Sequence, residues 1–99
     1  MLAQIQFVKI PTSEALTTYT QNKLKKLTDR FEMINSIDVY FKLENDPGGT
    51  GKICEIECSI PGTKVFAATS QHYYEHAVKI ALAEIEKQLK KRKAVMMAH

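Results

Sequence analysis

No apolar run in the sequence approaches the ~18 residues that a membrane-spanning helix needs, so no membrane partner is expected. The N-terminus, Met1 to Lys9, alternates in polarity rather than running apolar, and it lacks a small-residue cleavage pattern. A secretory signal peptide is therefore not expected, and the chain reads as cytoplasmic. Cysteine is scarce. Cys54 and Cys58 would stand about 13 Å apart on an extended strand, too far to bridge, and read as two reduced, buried thiols.

Catalytic signatures are also missing. Gly48 to Lys52 superficially resembles a phosphate-binding loop, but the motif needs Gly where Asp46 stands and Ser or Thr where Ile53 stands. It must also open a helix, whereas a strand follows. His72-Tyr73-Tyr74-Glu75-His76 has the H-x-x-E-H spacing of one group of zinc peptidases. Two histidines at i and i+4 can share a metal, but no third protein ligand is in view and only 23 residues remain after His76. No Ser/His/Asp or Cys/His arrangement is supported. The expectation is a chain that is not an enzyme, with no catalytic residue, no metal, no cofactor and no small-molecule substrate.

What the chain does have is segregated charge. Its formal net charge is only +3 over 99 residues. Residues 79–93 carry six Lys/Arg (Lys79, Lys87, Lys90, Lys91, Arg92, Lys93) against Glu84 and Glu86, a local net of +4. The remainder has eight basic and nine acidic residues, a net of −1. Charge concentrated in this way binds polyanions far better than the same charge spread evenly. The same stretch is amphipathic. At 100° per residue, Tyr74, Ala77, Val78, Ala81, Leu82, Ile85 and Leu89 fall in one arc of roughly 140°. Lys79, Lys87, Lys90, Lys91 and His76 fall opposite, so a helix over residues 71–93 would face the core on one side and an anion on the other.

Upstream, residues 2–9 read as a strand with Ile5 and Phe7 on one side. Pro11-Thr12-Ser13-Glu14 opens a helix to about Glu32, with Thr12 or Ser13 as N-cap and Leu16, Thr20, Leu24, Leu27 and Phe31 as its buried stripe. Tyr19, Lys23, Lys26 and Arg30 make one basic edge of that helix. Ile37, Val39, Phe41 and Leu43 alternate with polar neighbours, as do Cys54, Ile56, Cys58 and Ile60. Asn45 to Gly51 is a loop, Pro61-Gly62 a tight connection, and Val65–Thr69 a fourth, shorter strand.

The order β-α-β-β-β-α implies a two-layer α+β sandwich. The first two strands should be parallel and joined by a right-handed crossover, with the rest a meander. Because each strand has a single apolar face, both helices must lie on the same face of the four-stranded sheet, with their basic edges on one side.

The element order, Ser13-Glu14-Ala15-Leu16, Lys23-Leu24-Lys25-Lys26-Leu27 and Lys87-Gln88-Leu89-Lys90-Lys91-Arg92-Lys93 together resemble the ribosome hibernation promoting factor / ribosome-associated inhibitor A family. The resemblance covers roughly residues 2–93. It implies a fold like that of double-stranded-RNA-binding domains, with an added N-terminal strand. It also implies binding to rRNA of the decoding region of the small ribosomal subunit in stressed or stationary bacteria, where such proteins block translation. By position, Lys23, Lys26, Lys87, Lys90, Lys91 and Lys93 match the family's basic helix residues. Near the start of the second helix, where the family often has an aromatic and later Asp, this chain has Tyr74 or Glu75 and then Lys79. The likeness is to the short form, which implies that pairing of ribosomes would need a separate dimerising factor.

The chain is thus read as a single ribosome-binding domain over 1–99, with an ordered core of about 2–93 and a tail at 94–99. The expected RNA-binding set is Lys23, Lys26, Arg30, Lys79, Lys87, Lys90, Lys91, Arg92 and Lys93. Lysine-rich helix edges without an aromatic stacking platform suit recognition of phosphate and shape. The alternatives are a general duplex-RNA-binding module, a small metal-dependent hydrolase using His72 and His76, and an interaction domain pairing through a sheet edge.

Overall fold

Ser13 ends the first loop by accepting a hydrogen bond from the Leu16 amide at 3.2 Å, which caps the first helix. The computed structural model describes residues 2–97, in the order β1 (Leu2–Phe7), α1 (Glu14–Arg30), β2 (Ser36–Leu43), β3 (Lys52–Ile60), β4 (Thr63–Gln71) and α2 (Tyr74–Met97). The sheet runs β1-β2-β3-β4, with β1 parallel to β2 and the other neighbours antiparallel. The α+β sandwich read from the sequence is the observed fold.

One apolar cluster holds both layers together. Ile37, Val39, Phe41, Cys54, Ile56, Cys58, Ile60, Val65 and Ala67 alternate along the strands, so all project from one sheet face. Leu16, Leu24 and Leu27 of α1 and Ala77, Val78, Ala81, Leu82, Ile85 and Leu89 of α2 close over them. Tyr74 anchors the start of α2. Its hydroxyl donates to the Lys42 carbonyl at 3.0 Å, and its ring meets that of Phe41 edge-on at 5.5 Å. Burial pushes that hydroxyl's pKa above 10.0.

Several boundaries move for local reasons. β1 stops at Phe7 rather than Lys9, because Lys9 takes a left-handed φ of 59°. α1 ends at Arg30, where the Phe31 amide closes on the Leu27 carbonyl. β4 is nine residues long, not a short strand. Ile60 pairs with Thr63 directly across Pro61-Gly62, with Gly62 at φ 85°, so the ladder begins at once and extends through polar residues that carry no apolar alternation. Gln71 is still paired to Lys52, so α2 starts at Tyr74. It continues through Ala94 to Met97, beyond the expected end at Lys93, since no Gly or Pro interrupts it. Ala98 and His99 lie outside the described residues.

Candidate nucleic-acid interface

Two hydrogen bonds show how the helices lie. The Tyr19 hydroxyl donates to the Glu75 carbonyl at 3.4 Å, and the Arg30 guanidinium donates to the Glu86 carboxylate; both pairs are separated by 56 residues. A constant offset means that α1 and α2 run parallel, side by side. The two contacts are three turns apart on each helix, about 16 Å along the axis. Residues on these flanks therefore face each other across a groove.

The groove has a volume of about 200 Å³. Leu27, Leu82 and Ala83 form its floor; Lys23, Lys26 and Arg30 stand on the α1 side, with Lys79 and Glu86 on the α2 side. Lys90 joins it through Glu86, 3.8 Å from that carboxylate. Arg30 and Lys93 also approach the ring of Phe31, at 5.4 and 5.9 Å. Five cations thus surround a single carboxylate. Among the described residues, no carboxylate pairs with Lys23, Lys26 or Lys79.

The remaining candidates are placed differently. Lys87 lies about 180° from Val78, on the crest of α2. Lys91 turns further toward the β4 side. Arg92 lies one heptad beyond Ile85, in line with the core-facing residues. It is nevertheless exposed, because every residue from Lys90 to Val95 is exposed and α2 has there run past the core. The structure therefore gathers Lys23, Lys26, Arg30, Lys79, Lys90 and Lys93 along one seam, and sets Lys87, Lys91 and Arg92 around a projecting helix end.

Two features of the seam went unread in the sequence. Glu86 counted there only as an opposing charge, yet it pairs with Arg30 across the groove and with Lys90 on its own helix. Second, aromatic groups do gather at one end of the seam. Tyr19, Tyr73, Glu75, His76 and Lys79 line a recess of about 310 Å³, and Tyr73 is 69% exposed. His76 has no metal site around it: among the described residues, no group of three or more His, Cys, Asp or Glu could hold a metal ion. Nor is any described helix long and apolar enough to cross a membrane.

The opposite face of the sheet is built otherwise. Lys42 pairs with Glu55 at 2.9 Å and Lys64 with Glu57 at 2.8 Å. The Glu57 hydrogen bond, and then its charge, hold the Lys64 pKa above 10.5. In the connection between β2 and β3, Asp46 accepts from the Thr50 hydroxyl and the Gly48 amide, which lowers its pKa below 3.8. Gly51 passes so close to Glu44 that an added Cβ would sit 1.9 Å from the Glu44 carbonyl oxygen. This is a tightly tied structural loop.

Among solved structures, the fold matches a ribosomal subunit interface protein from Coxiella burnetii with a TM-score of 0.84 and 24% identity, over 95% of this chain and 99% of that one. It also matches the Protein Y N-terminal domain from Thermus thermophilus, with a TM-score of 0.73 and 22% identity, over 90% and 93% of the two chains. No curated protein matches the sequence. A model of the sigma 54 modulation protein / S30EA ribosomal protein family matches residues 3–96, nearly the whole of α1, the sheet and α2, and the chain belongs to that family, the relationship to which its helix sequences pointed.

Proposed function

We propose that this chain is a ribosome-associated factor of the hibernation type, which binds rRNA of the small subunit's decoding region through the α1–α2 groove and so holds translation off under stress or in stationary phase. The observation that supports this reading is the seam itself: six cations on two parallel helices, of which, among the described residues, only Arg30 and Lys90 pair with a carboxylate, that of Glu86. Family membership supports it, as does the likeness to a structure described as a ribosomal subunit interface protein. An A-form major groove is too narrow for side chains to read, so such a protein grips phosphates and shape, for which point charges on rigid helices are suited. The reading places the protein in the cytoplasm, with a separate partner responsible for any pairing of ribosomes.

Sedimentation with small subunits and with whole ribosomes tests this. Co-sedimentation is expected at low salt and should survive an excess of duplex RNA; loss to that competitor would mark a general duplex-RNA module instead. If about six phosphates are contacted, affinity should fall roughly a thousandfold between 50 and 200 mM salt. Binding indifferent to salt would refute the phosphate grip.

A further inference from the structure

The recess at the N-terminal end of α2 has a chemistry that phosphate binding does not use. Because the Tyr74 ring turns inward onto Phe41, its neighbour Tyr73 is held outward. Tyr19 stands across from it. That ring is fixed at its hydroxyl by the Glu75 carbonyl, and Lys23 Nζ lies 5.4 Å from its centre. His76 and Glu75 put a ring nitrogen donor or acceptor and a carboxylate at the same opening. A single exposed aromatic is ordinary on a protein surface. Here two tyrosines and an imidazole surround one opening whose fifth lining residue, Lys79, is also a wall of the cationic groove. At about 310 Å³, the opening is at the small end of the ~300–1,000 Å³ typical of small-molecule sites.

We propose that this recess is a nucleobase subsite: it takes one unpaired base of an RNA whose phosphates lie in the groove, so the inference rests on the preceding reading. Every base presents a π-face, and tyrosine rings are sequence-tolerant platforms for it that lose little freedom on binding. Lys79 holds the phosphate beside that nucleotide, and Tyr73 stacks on its base. The protein thereby distinguishes RNA with an unpaired nucleotide at this point from a continuous duplex, which the lysines alone do not.

The test uses the full chain and a hairpin RNA bearing one bulged adenosine, against the same hairpin with an abasic ribose at the bulge, with affinities measured by anisotropy. The wild type is expected to prefer the base-bearing hairpin by about tenfold or more. Tyr73→Ala should abolish the preference without weakening binding to the abasic hairpin, while Tyr73→Phe keeps it. The chain has no tryptophan, so Tyr73→Trp adds a lone indole whose emission the base-bearing hairpin, and not the abasic one, should quench. Equal wild-type affinities, or a preference that persists in Tyr73→Ala, would overturn the subsite. If neither hairpin binds but ribosomes still co-sediment, the subsite is wrong and the groove reading stands. If ribosomes do not co-sediment either, the groove reading fails and the subsite with it.

Discussion

The two outer faces of this molecule both carry lysines, and they use them in opposite ways. On the open face of the sheet, Lys42 and Lys64 each reach a carboxylate diagonally across the ladder, Glu55 and Glu57 respectively, and their charge is spent locally. On the helical face, Lys23, Lys26, Arg30, Lys79 and Lys90 converge on a groove whose one lining carboxylate, among the described residues, is Glu86. The formal charge of the chain, +3, describes neither face. Affinity for a polyanion is set by where cations stand in excess over anions within about one Debye length, ~8–10 Å, and of these two faces the helical one has that excess.

The strongest way to break the contrast is to remove the core on which both faces rest. Ile85 is fully buried beneath the seam, so Ile85→Asp strands a charge there. The cost rivals the ~5–15 kcal/mol that stabilise a typical domain, and the cooperative thermal transition should disappear. Next in size is a matched pair of variants. Lys26→Glu, Lys79→Glu and Lys90→Glu together should abolish ribosome co-sedimentation while the melting curve stays near that of the wild type, since exposed changes cost within about 0.5 kcal/mol each. Lys42→Glu with Lys64→Glu should leave co-sedimentation intact. If the sheet-face pair released ribosomes and the seam triple did not, the assignment of faces would be reversed.

The smallest effect sharpens the contrast from within the seam. Glu86→Gln removes the single anion among the five cations and should tighten binding, by about 0.5–1 kcal/mol given that exposed ion pairs contribute no more than that. Weaker binding in a salt titration would show instead that Glu86 is needed to hold Arg30 and Lys90 in position.

Much of this molecule is written in short-range pattern. Alternation in β2 and β3, the stripe of α1 and the arc of α2 each follow from periods of two and 3.6 residues, and the periods select the buried residues except at the element ends, where Leu43 is 60% exposed and Tyr74 only half-buried. The order of elements then leaves little choice of layering, because a strand with one apolar face can be covered from one side only. Pattern failed where the backbone, not the side chains, carries the structure. The polar ends of β4 pair through main-chain hydrogen bonds, and the start of α2 is delayed by that same pairing.

The basic edges of α1 and α2 were legible separately as helical spacings: Lys23, Lys26 and Arg30 recur at intervals of three and four, and Lys79, Lys90 and Lys93, at intervals of eleven and three, fall on one side of their helix. Only tertiary packing decided that these edges lie parallel and in register, because a contact between residues 56 apart leaves no local trace. That register sets Arg30 against Glu86, brings Tyr19 to Glu75 and encloses the Tyr73 recess. Lys87 and Arg92, which belong to the same run of charge as Lys90 and Lys93, are turned away from the seam by the period of α2 itself. Composition and period determine which side of an element is apolar and which is charged. The rotation and offset of one helix against another come from the packing of Leu27, Leu82 and their neighbours, and they determine which charges meet.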